Sequence, residues 1–343
     1  MKDLQRIHLI DSTLRDGSHA MSHQYTVEQM VKIAVGLDRA GIEYIEVSHG
    51  DGLAGSSLNY GRSLTAEPET LKAVSNVLQR ASLTVLLIPG IGTQEDLKMA
   101  VASGARAVRV ATHVTEANVA EQHIGMAKNM GLRTFGFLMM SHMVEPSKIA
   151  EQARLFERYG ADGVYIADSA GAMLMDDVKA KIGAVVEAVR IPVGFHAHNN
   201  LTLATANSLA AIEAGATYID GTCRGIGAGA GNTQIEALTG VLDKKGYQTG
   251  VKLYKIMDVA EQVVEPIMHR PQIVSNDAFM LGYAGVYSSF LLHIQRAAQK
   301  FSLDPRDILV EIGRRKMVGG QEDMIIDVAY HLAHEGSPQP LGI

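Results

Sequence analysis

Tryptophan is absent from the 343 residues, and cysteine occurs once, at Cys223. A single cysteine excludes an intrachain disulfide and suits a reducing compartment. No run of about 18 uncharged apolar residues occurs, so no transmembrane helix is expected. The chain start has no apolar signal-peptide core, because Ile7-His-Leu-Ile10 runs straight into Asp11. The expectation is a cytoplasmic protein with no membrane partner. Like-charge blocks and low-complexity tracts are also missing. A formal net charge of -6 leaves no basic footprint for nucleic acid. What is plentiful is apolar side chain, at 47%. That supplies the core of a barrel of about 250 residues plus a smaller unit.

Eight short apolar runs read as strands: 7–14, 44–49, 83–89, 107–113, 133–141, 163–169, 193–199 and 218–223. A segment with helical periodicity follows each, at 26–40, 67–80, 94–103, 116–130, 147–159, 175–189, 201–214 and 232–244. Gly41, Gly104, Gly131, Gly160 and Gly215 stand just before the next strand, where a helix ends in the left-handed region. Thr26 with Gln29 and Thr93 with Asp96 read as helix caps, followed by Thr115 with Asn118 and a less ideal Ser147. The alternation predicts an α/β fold, a (β/α)8 TIM barrel. An open doubly wound sheet is the alternative, but it usually has fewer strands and the glycine-rich turn after the first strand is missing. After about residue 250 the alternation stops, and 254–266, 287–300, 304–315 and 321–335 look helical. The chain therefore divides into a TIM-barrel catalytic domain, 1–250, and a helical C-terminal appendage, 251–343.

Polar residues gather at the strand C-termini, where barrels carry their chemistry. The first strand ends at Arg15 and Asp16, with His19 shortly after; the second at Glu46, Ser48 and His49. Later strands end at Thr112 and His113, at Ser141 and His142, and at Asp168 and Ser169. The seventh strand carries His196 and His198 at i and i+2, so both imidazoles leave one face. One carboxylate and two imidazoles can bind a divalent cation and leave positions open for substrate. On its own an HxH pair is more often a chance pair or a hydrogen-bonded histidine pair than a metal site, and Arg15 beside Asp16 fits a buried ion pair. Asp16 on a separate strand end favours the metal. His49, His113 and His142 read as pocket-lining or outer groups. The loop Gly225–Asn232 reads either as a phosphate cradle or as a tight strand-to-helix crossing. No lysine falls at a strand end; Lys72, Lys98, Lys128, Lys148 and Lys179 all lie on helices. A Schiff-base route needs such a lysine, so it is closed. Cys223 has no evident base partner and does not read as a nucleophile.

These residues carry a resemblance. Asp11-Ser-Thr-Leu-Arg-Asp-Gly17 and His196-Ala-His198-Asn199 are similar to the motifs of the DRE-TIM metallolyase superfamily. Within it, His49-Gly-Asp-Gly-Leu53, Gly136-Phe-Leu-Met-Met-Ser-His142, Ala284-Gly-Val-Tyr-Ser-Ser-Phe-Leu291 and Gly319-Gly-Gln-Glu-Asp323 resemble the 4-hydroxy-2-oxovalerate aldolases, essentially end to end. The resemblance implies a class II pyruvate aldolase. Such an enzyme cleaves (S)-4-hydroxy-2-oxopentanoate to pyruvate and acetaldehyde in meta-cleavage catabolism of aromatic compounds. It also implies a complex with an acylating acetaldehyde dehydrogenase, contacted through the C-terminal helices, with substrate channelling and Gly319-Gly320 as a candidate lining.

On that reading Asp16, His196 and His198 are expected to hold Mn2+, with Mg2+ or Co2+ as substitutes. The metal and Arg15 would stabilise a pyruvate enolate. His19 would act as the base toward the C4 hydroxyl. Ser169 would hydrogen-bond the substrate carboxylate, as the family implies. Tyr287 would close over the C4 substituent, Leu86 and Ile88 would size the aldehyde pocket, and Asn232 is a candidate outer metal contact. Two rivals stand beside this reading: an acyl-CoA synthase or lyase of the same superfamily, and a non-catalytic structural barrel.

Overall fold

The computed structural model describes residues 6–318 and 320–335. Gly319, one of the two glycines expected to line an exit route, lies outside them. Eight parallel strands close into a barrel in sequence order. They are β1 (His8–Asp11), β2 (Tyr44–Glu46), β3 (Ser82–Leu87), β4 (Ala107–His113), β5 (Arg133–Met139), β6 (Gly163–Asp168), β7 (Val193–Ala197) and β8 (Tyr218–Gly221). Closure comes from β1 pairing with β8 in the register His8 to Tyr218 and Asp11 to Gly221. Seven strands fall inside the runs that the sequence marks and β3 starts one residue before its run, at Ser82, and the (β/α)8 expectation holds.

Alternation along each strand builds two cores. Outward residues such as Leu9, Ile45, Val85, Val108, Val164 and Ile219 pack under the helices. Inward residues fill the barrel with rings, chiefly Tyr44, Phe135, Phe137, Tyr165 and Tyr218. Arg109 stands among them on β4, fully buried, with its guanidinium 4.8 Å from the Phe137 ring centroid and 5.1 Å from that of Tyr165. The cation–π contacts are welcome, but its charge needs carboxylates too.

The five glycines that precede strands all adopt positive φ, from 77° at Gly131 to 109° at Gly215. Thr26 and Thr93 form full capping boxes with Gln29 and Asp96. The other two expected caps differ. Pro146 sets the start of the helix Pro146–Arg158, which moves the cap to Glu145 and places Ser147 inside. Thr115 instead pairs with His113 at 2.8 Å, and a 3-10 turn, Ala117–Ala120, begins after Glu116.

After the barrel, a helix at Leu253–Asp258 runs into a π-helical turn, Val259–Val264. Ile256, Val259, Ala260 and Val264 bury in the outer barrel core. A second core follows, centred on Leu281, Phe290, Ile294, Ile308, Ile312, Ile325 and Val328. It joins the helices Asn276–Ala284, Leu291–Phe301, Pro305–Arg314 and Met324–Glu335. The first of these was not expected: its sequence, NDAFMLGYA, shows no polar face to mark a period. Ser275 caps it by accepting from the Ala278 N–H at 3.2 Å. This unit docks on the barrel mouth by hydrogen bonds. Asn200 Nδ2 donates to Ser288 Oγ at 2.9 Å, Ser288 Oγ donates to the Ser169 carbonyl at 3.0 Å, and His142 Nε2 meets the Gly285 carbonyl at 2.9 Å. Among the described residues no helix is long and apolar enough to cross a membrane.

Candidate active site

The chain turns sharply after β1, and a four-residue helix, Gly17–Ala20, follows Asp16. That turn brings Arg15, Asp16 and His19 over the barrel mouth. They line one pocket with Ser169, His196, His198, Leu86, Ile88, Phe137 and Tyr287. Asp16 Oδ2 lies 3.6 Å from His196 Nε2 and 3.8 Å from His198 Nε2, and the two imidazole nitrogens are 3.4 Å apart. Ligands held at about 2.0–2.2 Å from one ion stand about 3–3.5 Å from each other. The three buried donors thus fit a single divalent cation.

Each donor is oriented from behind. Asp16 Oδ1 accepts from Asn232 Nδ2 at 2.9 Å and from the Ala228 N–H at 3.2 Å. Its Oδ2 accepts from Arg15 Nη1 at 2.7 Å and still faces the imidazoles. His196 Nδ1 meets Asp220 Oδ2 at 2.8 Å, which places the ring proton there and leaves a lone pair on Nε2. Burial works against the Asp16 carboxylate, but Arg15, His198 and His196 outweigh it and hold its pKa well below the usual range. Burial pushes His198 down to about 4, so this ring is neutral near pH 7, the form that ligates.

A chain of charges runs through the barrel behind these donors. Arg15 Nε donates to Glu46 Oε2 at 2.7 Å. Arg109 forks onto both Glu46 oxygens, with Nε to Oε1 at 2.7 Å, and its Nη1 reaches Asp220. Burial opposes ionisation of Glu46, but Arg109 and Arg15 bring its pKa to about 2. Arg15 Nη2 is buried with no hydrogen-bond partner, although every other nitrogen of that group is engaged. An orphan donor at a pocket wall is what an anionic oxygen would satisfy.

The remaining expectations sort as follows. Ser169 Oγ accepts from the Met140 N–H at 3.0 Å, so its own proton is available to a ligand. Tyr287 reaches the same pocket from the C-terminal unit. Asn232 holds the Asp16 carboxylate, and its own Oδ1 is buried and unpartnered. The Gly225–Asn232 loop spends its donors on this chain's side chains: Ala228 on Asp16, and the Ala230 N–H on Asn200 Oδ1 at 2.8 Å. A Cβ on Gly227 would stand 2.7 Å from Asp16 Oδ1, so the loop's glycine serves close approach. His113 lines a neighbouring cavity, and His142 holds Gly285. His49 lies beside His23 with ring centroids 3.8 Å apart. No lysine lines the pocket among the described residues. Burial pushes the Cys223 thiol well up, the opposite of an activated thiol.

Arg109 and Asp220 escaped the sequence reading. A usable signal was parity: Ala107, Arg109 and Ala111 share the inward face of β4, as Tyr218 and Asp220 share that of β8.

Comparison with known proteins follows the same outline. The HMGL-like family matches residues 6–263, and the DmpG-like communication domain matches residues 272–334. A 4-hydroxy-2-oxovalerate aldolase from Moorella thermoacetica is 71% identical over 329 residues, covering 96% of this chain and 97% of the relative. One from Carboxydothermus hydrogenoformans is 67% identical over 329 residues, covering 96% and 98%. Among solved structures, the carboxyl transferase domain of Rhizobium etli pyruvate carboxylase superposes with a TM-score of 0.81 at 15% identity. That match covers 98% of this chain and 61% of the other, and it speaks to the fold alone.

Proposed function

The chain belongs to the 4-hydroxy-2-oxovalerate aldolase family, a group of carbon–carbon lyases built on an HMGL-like barrel, and from that premise we propose that it cleaves (S)-4-hydroxy-2-oxopentanoate to pyruvate and acetaldehyde with a divalent cation, Mn2+ by preference. The observation that carries the reading is the buried triad of Asp16, His196 and His198 beside an unpartnered Arg15 Nη2. Asp16, His196 and His198 would hold the ion, which supplies Lewis-acid polarisation of the 2-oxo group.

The chain's own residues do the rest. Arg15, fixed by Glu46 and Asp16, presents Nη2 to the C2 oxygen, where negative charge collects as C3–C4 breaks. Its position is set before substrate arrives, so no reorganisation opposes the step. His19 accepts the C4 hydroxyl proton; the C3–C4 electron pair stays with the pyruvate fragment, and the C4 carbon leaves as aldehyde. In reverse, the imidazolium returns that proton to the alkoxide. Ser169 donates its hydroxyl proton to the substrate carboxylate. Leu86, Ile88 and Tyr287 surround the aldehyde end and exclude water. The absence of a pocket lysine agrees with this route rather than a covalent one.

The test is pyruvate release from racemic substrate before and after exhaustive chelation. Activity is expected to vanish and to return with Mn2+; full activity in the chelated protein overturns the reading. The orientation of His196 gives a second expected outcome. Asp220→Ala removes the acceptor that fixes the ring tautomer, and cation affinity falls by about 10–100-fold. Equilibrium dialysis against Mn2+ reads this directly, and an unchanged affinity removes Asp220 from the ion-binding argument.

The C-terminal region supports a second proposal, a complex with an acylating acetaldehyde dehydrogenase that receives the aldehyde in aromatic catabolism. The communication-domain match covers this region, and Phe279, Tyr283 and Tyr330 leave aromatic surface exposed on its helices. Acetaldehyde is volatile and reactive toward amines, so direct transfer limits its loss. The expectation of a cytoplasmic location stays with this proposal.

A further inference from the structure

We propose that His19, His23 and Asp51 form a second cation site, suited to Zn2+, and that filling this site withdraws His19 from acid–base work. The inhibitory half rests on His19 being the base; the site itself does not.

The three residues place one ligand atom each within 4.8 Å of one another. About 1 Å of side-chain closure brings such donors to the separations that surround a zinc ion. They face a cavity of about 540 Å3 on the outer side of the short helix Gly17–Ala20, separate from the pocket of Asp16, His196 and His198. Only His19 of the three lines both spaces.

The hydrogen bonds prepare His23 for this role. Ser18 Oγ donates its proton to the Arg15 carbonyl at 2.7 Å. The same oxygen can then only accept from His23 Nδ1, which lies 3.0 Å away. The ring proton therefore sits on Nδ1 and Nε2 carries the lone pair, the arrangement typical of a ligating imidazole. Stacking on His49 at 3.8 Å and an edge contact with His19 at 5.1 Å fix the ring plane. The Tyr60 carbonyl is a competing acceptor for the ring, so Nε2 ligates in the tautomer that the Ser18 contact favours. Burial takes His23 down to about 3, so binding displaces no proton from it near pH 7.

Asp51 supplies the negative charge. It is buried, and among the described residues no hydrogen bond reaches its carboxylate; its nearest charged neighbour is His49 Nδ1 at 3.5 Å. That nitrogen already accepts from the Asp51 N–H at 3.1 Å, and His49 Nε2 meets the Gly61 carbonyl at 3.1 Å. His49 is thus satisfied in its neutral form and does not neutralise Asp51. Glu322 lines the same cavity, where Arg270 and Arg296 balance the two carboxylates, so affinity comes from the ligand atoms rather than from the net field. The carboxylate opens onto the cavity, where a cation can reach it. Two imidazoles with one carboxylate accept Zn2+ as they accept other divalent first-row ions. The primary site has the same donor types, so total ions per chain, rather than identity, is the discriminating quantity.

The experiment dialyses the full chain against Zn2+ in the presence of excess Mn2+ and measures total divalent ions per chain. Wild type is expected to hold two. His23→Asn and Asp51→Asn are each expected to hold one, with unchanged thermal unfolding as the folding control. One ion in the wild type, or two in both variants, overturns the site. In parallel, zinc inhibition of pyruvate release is titrated, scaled to each variant's own zinc-free rate. The zinc concentration for half inhibition is expected to rise at least about tenfold in His23→Asn. Undiminished inhibition in a variant that holds one ion overturns the regulatory half alone. The same ion count on His19→Ala separates the proposals: near wild-type turnover there removes the base assignment, while a loss of the second ion still supports the site.

Discussion

Replacing His19 by alanine is expected to lower turnover by about 10²–10⁴-fold, the usual loss for one acid–base group. The ring is poised by packing. A Cβ on Gly50 would collide with its Nε2 edge, so glycine at 50 is what lets the imidazole lie against the β2 loop. It touches both the inner pocket and the outer cavity, so a proton taken from substrate has an exit to water. The expected signature is a fall in kcat with little change in KM, because the alanine variant keeps Arg15, Ser169 and the three ion-binding donors. Pyruvate release followed across pH is the measurement. Near wild-type turnover at every pH assigns the proton transfer elsewhere, and a rise in KM alone makes His19 a binding group instead.

The second large effect concerns stability. Arg109→Met keeps much of the volume and apolar contact with Phe137 and Tyr165 but leaves Glu46 and Asp220 without their shared cation. Removing one partner of a buried ion pair costs about 3–5 kcal/mol. The pH dependence has a defined sign. Glu46 has a folded pKa of about 2 against an ordinary 4.5, so its stabilisation is fully present above about pH 4.5 and is lost as pH falls toward 2. In the variant the Glu46 pKa rises, protonation relieves the unpaired charge, and the gap to wild type narrows on acidification. Denaturant unfolding at pH 7.5 and pH 4.5 reads both parts. Equal stability at pH 7.5, or a gap that widens in acid, rejects the account. Activity should fall as well, since Glu46 steadies Arg15.

Much of this architecture could be read before any coordinates. The strands were legible because fully buried parallel strands are near-continuous apolar runs, and five barrel helix ends because a glycine marks the left-handed exit. The three donors proposed to hold an ion were legible because Asp16 follows β1 closely and His196 and His198 sit two apart on one face. The charge chain was not. Arg109 lies 63 residues from Glu46 and 111 from Asp220, and nothing local announces a guanidinium as interior. The helix Asn276–Ala284 was hidden for a different reason: it is apolar on too many sides to show a period. The brief helix holding His19 begins with glycine and runs four residues, too short for any periodic signal. His23 and Asp51 were invisible as partners because their meeting depends on two loops folding toward each other.

Under the proposed function, the barrel's buried wiring also sets an order of loading. Arg15 and Arg109 stand against Asp16, Glu46 and Asp220, which leaves one uncompensated negative charge among these five buried groups. An oxo-acid anion arriving first meets repulsion; arriving after a doubly charged ion, it brings the assembly to electroneutrality. Ion before acid is thus the sequence the electrostatics favour, and the last charge to enter is the one the reaction consumes and releases.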